Sequence, residues 1–99
     1  MKTITENEFN DFISTGRKVV QFSATWCGPC KMLTRTIEDI DLEGVEFAKV
    51  DIDNDRELAM NFGVRAVPFL VVFQDGEELR KAPGAKPRDA IISFVTEDK

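Results

Sequence analysis

An α/β fold, one mixed β-sheet with helices on both faces, is what this 99-residue sequence predicts. Strand-like apolar runs alternate with segments of helical period through the first half of the chain, which favours parallel neighbours. Near the end, Asp75-Gly76 separates two strand-like runs and marks a tight hairpin, which adds an antiparallel pair. Hydrophobic residues make up 42% of the chain, eight of them phenylalanines, enough to build a core under both layers. The predicted order is β-α-β-α-β-α-β-β-α, with about five strands and about four helices.

A short strand is expected around Lys2 to Ile4. Thr5-Glu6-Asn7-Glu8 then has the capping-box pattern, followed by Phe9, Phe12 and Ile13 at helical spacing. These residues predict a helix from Glu6 to Thr15, stopped at Gly16. Lys18 to Ser23 (KVVQFS) forms a buried strand. After WCGPC, the segment Lys31 to Ile40 places Leu33, Ile37 and Ile40 on one side of a helix. Val45 to Ile52 is the next strand, and Asp55 to Phe62 a short helix closed by Gly63. Pro68 to Phe73 (PFLVVF) is a further core strand, paired through the Asp75-Gly76 turn with Glu77 to Lys81. The last helix spans Pro87 to Thr96, with Ala90, Ile91 and Phe94 expected to face inward.

Composition narrows the chemistry. The net charge is −5, and the only basic clusters are the pairs Arg17-Lys18 and Arg80-Lys81, so nucleic acid is not an expected partner. No run approaches the ~20 apolar residues of a membrane span. Met1 to Asn10 is charged and lacks the apolar stretch of a secretory signal, so the cytoplasm is the expected compartment. Histidine and tyrosine are absent, which removes Ser-His-Asp and Cys-His machinery together with the commonest metal ligand. Asp51-Ile52-Asp53-Asn54-Asp55 fails as a calcium loop, because Arg56 stands at the glycine position and Phe62 at the final glutamate position. It reads as a strand end followed by a helix cap.

Trp26-Cys27-Gly28-Pro29-Cys30 contains both cysteines and the only tryptophan. Two thiols at this spacing suit half a zinc site, a structural staple or a redox couple. Zinc normally takes four ligands, and here it would have to be shared between two copies of the chain. A staple closing so small a loop gains the least entropy, and cytosolic thiols are usually kept reduced. A redox couple fits the local geometry best. Pro29 suits a first helical turn, where its missing N–H costs nothing. Residues three apart in a helical turn lie roughly 5 Å apart, within the ~4.4–6.8 Å Cα range of a disulfide. The unpaired N–H groups at the helix start favour a thiolate. Lowering a thiol pKa by one unit from ~8.5 raises the ionised fraction at pH 7 from roughly 3% to roughly 25%. Cys27, nearer the helix end, is the expected attacking sulfur, and Cys30 the more buried, resolving one.

Phe22-Ser23-Ala24-Thr25-Trp26-Cys27-Gly28-Pro29-Cys30-Lys31-Met32 resembles the active-site segment of the thioredoxin family. Val67-Pro68, ahead of an apolar strand, is similar to that family's cis-proline, which faces the disulfide. Phe73-Gln74-Asp75-Gly76 resembles its hairpin, and Gly84-Ala85 its later glycine site. In length and element order the resemblance covers essentially the whole chain. It implies the thioredoxin fold in a single domain, residues 1–99. It also implies protein-disulfide oxidoreductase activity: a small electron carrier with no cofactor beyond the Cys27–Cys30 disulfide and no metal. Trp26, Val67, Pro68 and Gly84, with Gly28 and Pro29, would form a shallow substrate-contact surface. The implied partners are disulfide-containing protein substrates and an NADPH-dependent thioredoxin reductase, with the chain acting as a monomer.

Three positions depart from the family pattern. Gln21 stands in an apolar strand where a buried aspartate is usual, and that carboxylate is thought to move the proton of the resolving thiol. Lys49 matches the lysine that usually pairs with it, and a Gln21–Lys49 hydrogen bond is expected in its place. Arg35 replaces a helix-kinking proline, so the helix is expected to run straighter. Phe69 replaces a threonine after Pro68 and is expected to add apolar bulk beside the site. These departures keep a second reading in play, a binding or accessory module with incidental thiol chemistry.

Overall fold

The computed structural model describes residues 1–98. Its strands are β1 (Lys2–Thr3), β2 (Arg17–Ser23), β3 (Val45–Asp51), β4 (Phe69–Gln74) and β5 (Glu77–Pro83). Its helices are α1 (Glu6–Ile13), α2 (Gly28–Glu38), α3 (Arg56–Asn61) and α4 (Arg88–Thr96). The strands form one sheet in the order β1-β3-β2-β4-β5. β1 and β2 each run parallel to β3, while β4 runs antiparallel to β2 and to β5. This is the mixed sheet that the element order predicts. The turn residues Asp75 and Gly76 both have positive φ, 51° and 88°, the conformation a two-residue hairpin requires and a glycine accepts without strain.

Alternation along the strands sorts the core into two layers. Val20, Phe22, Ala48, Val50, Val71 and Phe73 pack on one face with Phe9, Phe12 and Ile13 of α1 and Leu58 and Ala59 of α3. Val19, Leu70 and Val72 pack on the other with Leu33 and Ile37 of α2 and Ile91 and Val95 of α4. Period-two alternation puts neighbours on opposite faces, so one strand serves both layers.

Several boundaries move by one to three residues. α1 stops at Ile13, and α2 starts at Gly28 and stops at Glu38, although Ile40 remains buried beyond it. α2 runs unbroken through Arg35. In α4, Ala90 does not face inward as expected; it is exposed. Ile91 and Val95, four apart and therefore aligned, turn to the sheet, and Ala90 sits about 100° round the helix from Ile91. The C-terminal end of α4 is held by two distant arginines. Arg17 donates to the Val95 carbonyl at 2.8 Å, and Arg80 donates to the Phe94 carbonyl at 2.7 Å. Both satisfy carbonyls that have no partner within the helix.

Candidate functional site

β2 and β3 end side by side, with Ser23 opposite Asp51 in the register. The chain leaves β2 through Ala24 to Trp26 and enters α2. In open α/β sheets the carboxyl ends of such strands are where sites form. The turn is closed by the Cys27 N–H, which donates to the Ala24 carbonyl at 3.2 Å. Cys27 is the N-cap of α2, and its sulfur accepts from the Cys30 N–H at 3.1 Å. Pro29 lies in the first turn, where no N–H is needed. The sulfurs of Cys27 and Cys30 are joined, with Cα atoms 5.3 Å apart.

Both cysteines are largely covered, Cys27 4% and Cys30 2% exposed. Position separates them more than burial does. Cys27 caps the helix and meets its N–H groups, whereas Cys30 sits one turn in. Ala24, Ile52 and Val67 pack around the pair.

Val67-Pro68 lies across from Cys27, and its peptide bond is cis. The Val67 carbonyl oxygen is 3.8 Å from the Cys27 sulfur. In the disulfide, which has no S–H, this is a contact; in the dithiol the same oxygen is placed to accept from the thiol. Gly84, at φ 92°, donates its N–H to the Pro68 carbonyl at 2.8 Å and so ties the end of β5 to this loop. Trp26, Gly28 and Pro29 are exposed around the disulfide, Val67 and Gly84 are half-buried, and Pro68 is buried. Phe69 adds no bulk to this surface: it is 8% exposed and packs into the core layer under α1 and α3. The alternation of β4 turns its ring away from the layer that holds Leu70.

The expected Gln21–Lys49 hydrogen bond does not form. The two residues are neighbours in the β2–β3 register, but Gln21 donates to the Cys30 carbonyl at 3.1 Å and accepts from the Thr34 hydroxyl at 3.2 Å. Both partners belong to α2, which lies over Gln21 and outcompetes a neighbour in the same sheet. Gln21 is 1% exposed, and both its amide nitrogen and its amide oxygen have a partner, as buried polar groups require. Lys49 instead lines a cleft shared with Cys30.

Asp53 is a site residue the sequence did not reveal. The Trp26 indole N–H donates to its carboxylate at 2.9 Å, which fixes an exposed ring beside the disulfide. Its only sequence signal was an acid just past the end of β3. Thr34, which donates to Gln21, is likewise indistinguishable in the sequence from other polar helix residues. Among the described residues, no group of three or more His, Cys, Asp or Glu could hold a metal ion, and no helix is long and apolar enough to cross a membrane.

The Thioredoxin family profile matches residues 1–97. A thioredoxin of Chlamydia caviae is 38% identical over 99 residues, covering 98% of this chain and 97% of its own. One from Staphylococcus haemolyticus is 39% identical over 95 residues, covering 93% and 91%. Among solved structures, Fasciola hepatica thioredoxin superposes with a TM-score of 0.87 at 33% identity, over 99% of this chain and 98% of that one. A Halobacterium salinarum thioredoxin mutant gives 0.86 at 35% identity, over 98% and 90%.

Proposed function

The chain belongs to the thioredoxin family, and on that premise we propose how its residues divide the work of disulfide exchange. The protein is a thioredoxin-type protein-disulfide reductase, and its redox-active pair is Cys27 and Cys30. The Cys27 thiolate, favoured by the N-terminus of α2, attacks one sulfur of a substrate disulfide. A Cys27–substrate bond forms, the substrate S–S bond breaks, and the departing sulfur takes up a proton. Cys30 then loses its proton and attacks the Cys27 sulfur. The Cys27–Cys30 disulfide forms and the second substrate thiol leaves, so two electrons and two protons have passed to the substrate.

Trp26, Gly28, Pro29, Val67 and Gly84 form the contact surface in this reading, with Pro68 holding the Val67 carbonyl in place from beneath. Gln21 supports the Cys30 carbonyl, and Lys49 lines the cleft behind it. Proteins with disulfides are the substrates, and a reductase returns the pair to the dithiol, as in the family generally. Our finer assignment is an NADPH-dependent thioredoxin reductase as donor, with the chain working in the cytoplasm as a single-domain monomer that needs no bound cofactor.

The observation that carries this reading is the joined pair at the start of α2, 5.3 Å between Cα atoms, with the Val67 carbonyl 3.8 Å from the Cys27 sulfur. The test is reduction of insulin by dithiothreitol, catalysed by the wild type and by Cys27→Ser. Catalysis by the wild type alone supports the assignment. Equal rates would return the chain to the binding-module reading.

A further inference from the structure

Beside Cys30, between α2 and the carboxyl ends of β2 and β3, lies a cleft of about 540 Å³. That volume is within the range of roughly 300–1,000 Å³ typical of small-molecule sites. Its charge runs against that of the protein. The chain carries a net −5, yet three cations, Lys31, Arg35 and Lys49, line the cleft against one carboxylate, Asp51.

Among the described residues, none of the three cations is ion-paired. The ion pairs among the described residues join Met1 to Glu38, Arg17 to Asp98, Lys18 to Glu46, Lys81 to Glu78 and Arg88 to Asp89. Asp51 forms no ion pair with them among the described residues either; one of its oxygens accepts from the Asp53 N–H at 2.9 Å. Lys31 and Arg35 are four apart on α2, an arrangement in which like charges destabilise a helix. The departures from the family pattern point the same way. Gln21 is neutral where a carboxylate is usual, and Arg35 is charged where a proline is usual.

We propose that this cleft binds a small molecule carrying two or more negative charges on oxygen, as a dicarboxylate or phosphate group. Lys49 meets it from the sheet, and Lys31 and Arg35 meet it from α2. The planar guanidinium of Arg35 matches both a carboxylate and a phosphate through paired N–H donors. The occupant relieves the Lys31–Arg35 repulsion, which gives the protein a reason to tolerate it. Because Cys30 forms part of the wall, the occupant lies beside the redox pair.

The test is a titration of the oxidised protein with inorganic phosphate, and separately with succinate, followed by amide NMR. The pH and ionic strength are held fixed, and sodium chloride is the reference salt. The expected result is a saturable shift confined to the amides of Thr25, Lys31 to Arg35, and Lys49 to Asp51. The probe that saturates at lower concentration identifies the oxyanion. Arg35→Gln and Lys49→Gln, each spectrally unchanged elsewhere, should weaken its Kd about tenfold, the scale of one charge-assisted hydrogen bond. If either variant fails to fold, Lys31→Gln, at an exposed position, takes its place. Shifts that never saturate, that chloride reproduces, or that survive in the variants overturn the proposal.

Discussion

Val20 and Phe22 of β2 enter the apolar layer under α1 and α3, while Gln21 and Ser23 of the same strand turn the other way, towards the α2 side. The neighbouring strand repeats the division. Ala48 and Val50 join the apolar layer, and Lys49 and Asp51 line the cleft beside Cys30. In the layer under α1 and α3, Phe9, Phe22, Phe62 and Phe73 pack with ring centroids 5.3–5.8 Å apart in tilted and edge-on pairs. The opposite layer is apolar where α4 and the later turns of α2 pack on Val19, Leu70 and Val72, and turns polar beside Cys30, where Gln21, Thr34 and Lys49 lie. The face under α1 and α3 serves mainly stability. The other is divided between packing at one end and chemistry at the other, so substitutions there should separate the two.

The largest expected effect is on activity alone. Cys27→Ser should abolish catalysed insulin reduction while leaving the thermal midpoint of the reduced protein nearly unchanged. A large fall in the midpoint would show that the thiol is also structural.

On the apolar face, Phe73→Ala should destabilise by about 3–5 kcal/mol in a denaturant melt, the range for emptying an aromatic core site. Its exchange rate under folded conditions should stay near that of the wild type. A selective loss of activity would show the two faces to be coupled.

On the divided face, Thr34→Val leaves the buried Gln21 oxygen without its donor and should cost about 1–3 kcal/mol. Gln21→Asp is the sharper probe. Burial raises the pKa of an unpaired carboxylate, so the variant's folded pKa should exceed its unfolded one. Its stability relative to the wild type should therefore be greatest below the unfolded pKa and fall as pH rises through the folded pKa. The same carboxylate can take the Cys30 proton, which an amide cannot, so the pH profile of substrate reduction from about 5 to 9 should change. Superimposable profiles would exclude any part for this position in proton transfer.

The smallest effect lies outside both layers. A hydrogen bond from Lys18 and then its charge, with Lys2 adding to it, hold the Glu46 carboxyl below its ordinary 4.5, against a smaller opposing effect of burial. A depressed folded pKa means that this contribution is present above the unfolded value and is lost as pH falls through the lower, folded one. Glu46 is 67% exposed, so Glu46→Gln should cost no more than about 1 kcal/mol at pH 7, and the difference should vanish in acid.

Much of the fold was legible because its signals are local. The capping box before α1 is visible in four residues, and the Thr5 N–H does donate to the Glu8 carboxylate at 2.9 Å. The Asp75-Gly76 turn and the strand-to-helix position of Cys27 and Cys30 were legible for the same reason. Spacing and turn chemistry act within a few residues and survive in a linear reading. Ala90 shows the limit: several faces of a short apolar helix look alike until a sheet selects one.

The sequence by itself determined the order of elements, the hairpin and the thiol pair at a helix start, because each follows from covalent spacing and backbone preference. Tertiary structure alone decided that Gln21 bonds to Thr34 and the Cys30 carbonyl instead of Lys49, and that Asp53 anchors Trp26. It also decided that Arg17 and Arg80 cap α4, and that three cations meet at one cleft. A hydrogen bond or a charge acts over a few ångströms, and only the packing of α2, α4 and the strands on one another brings these distant residues within that reach.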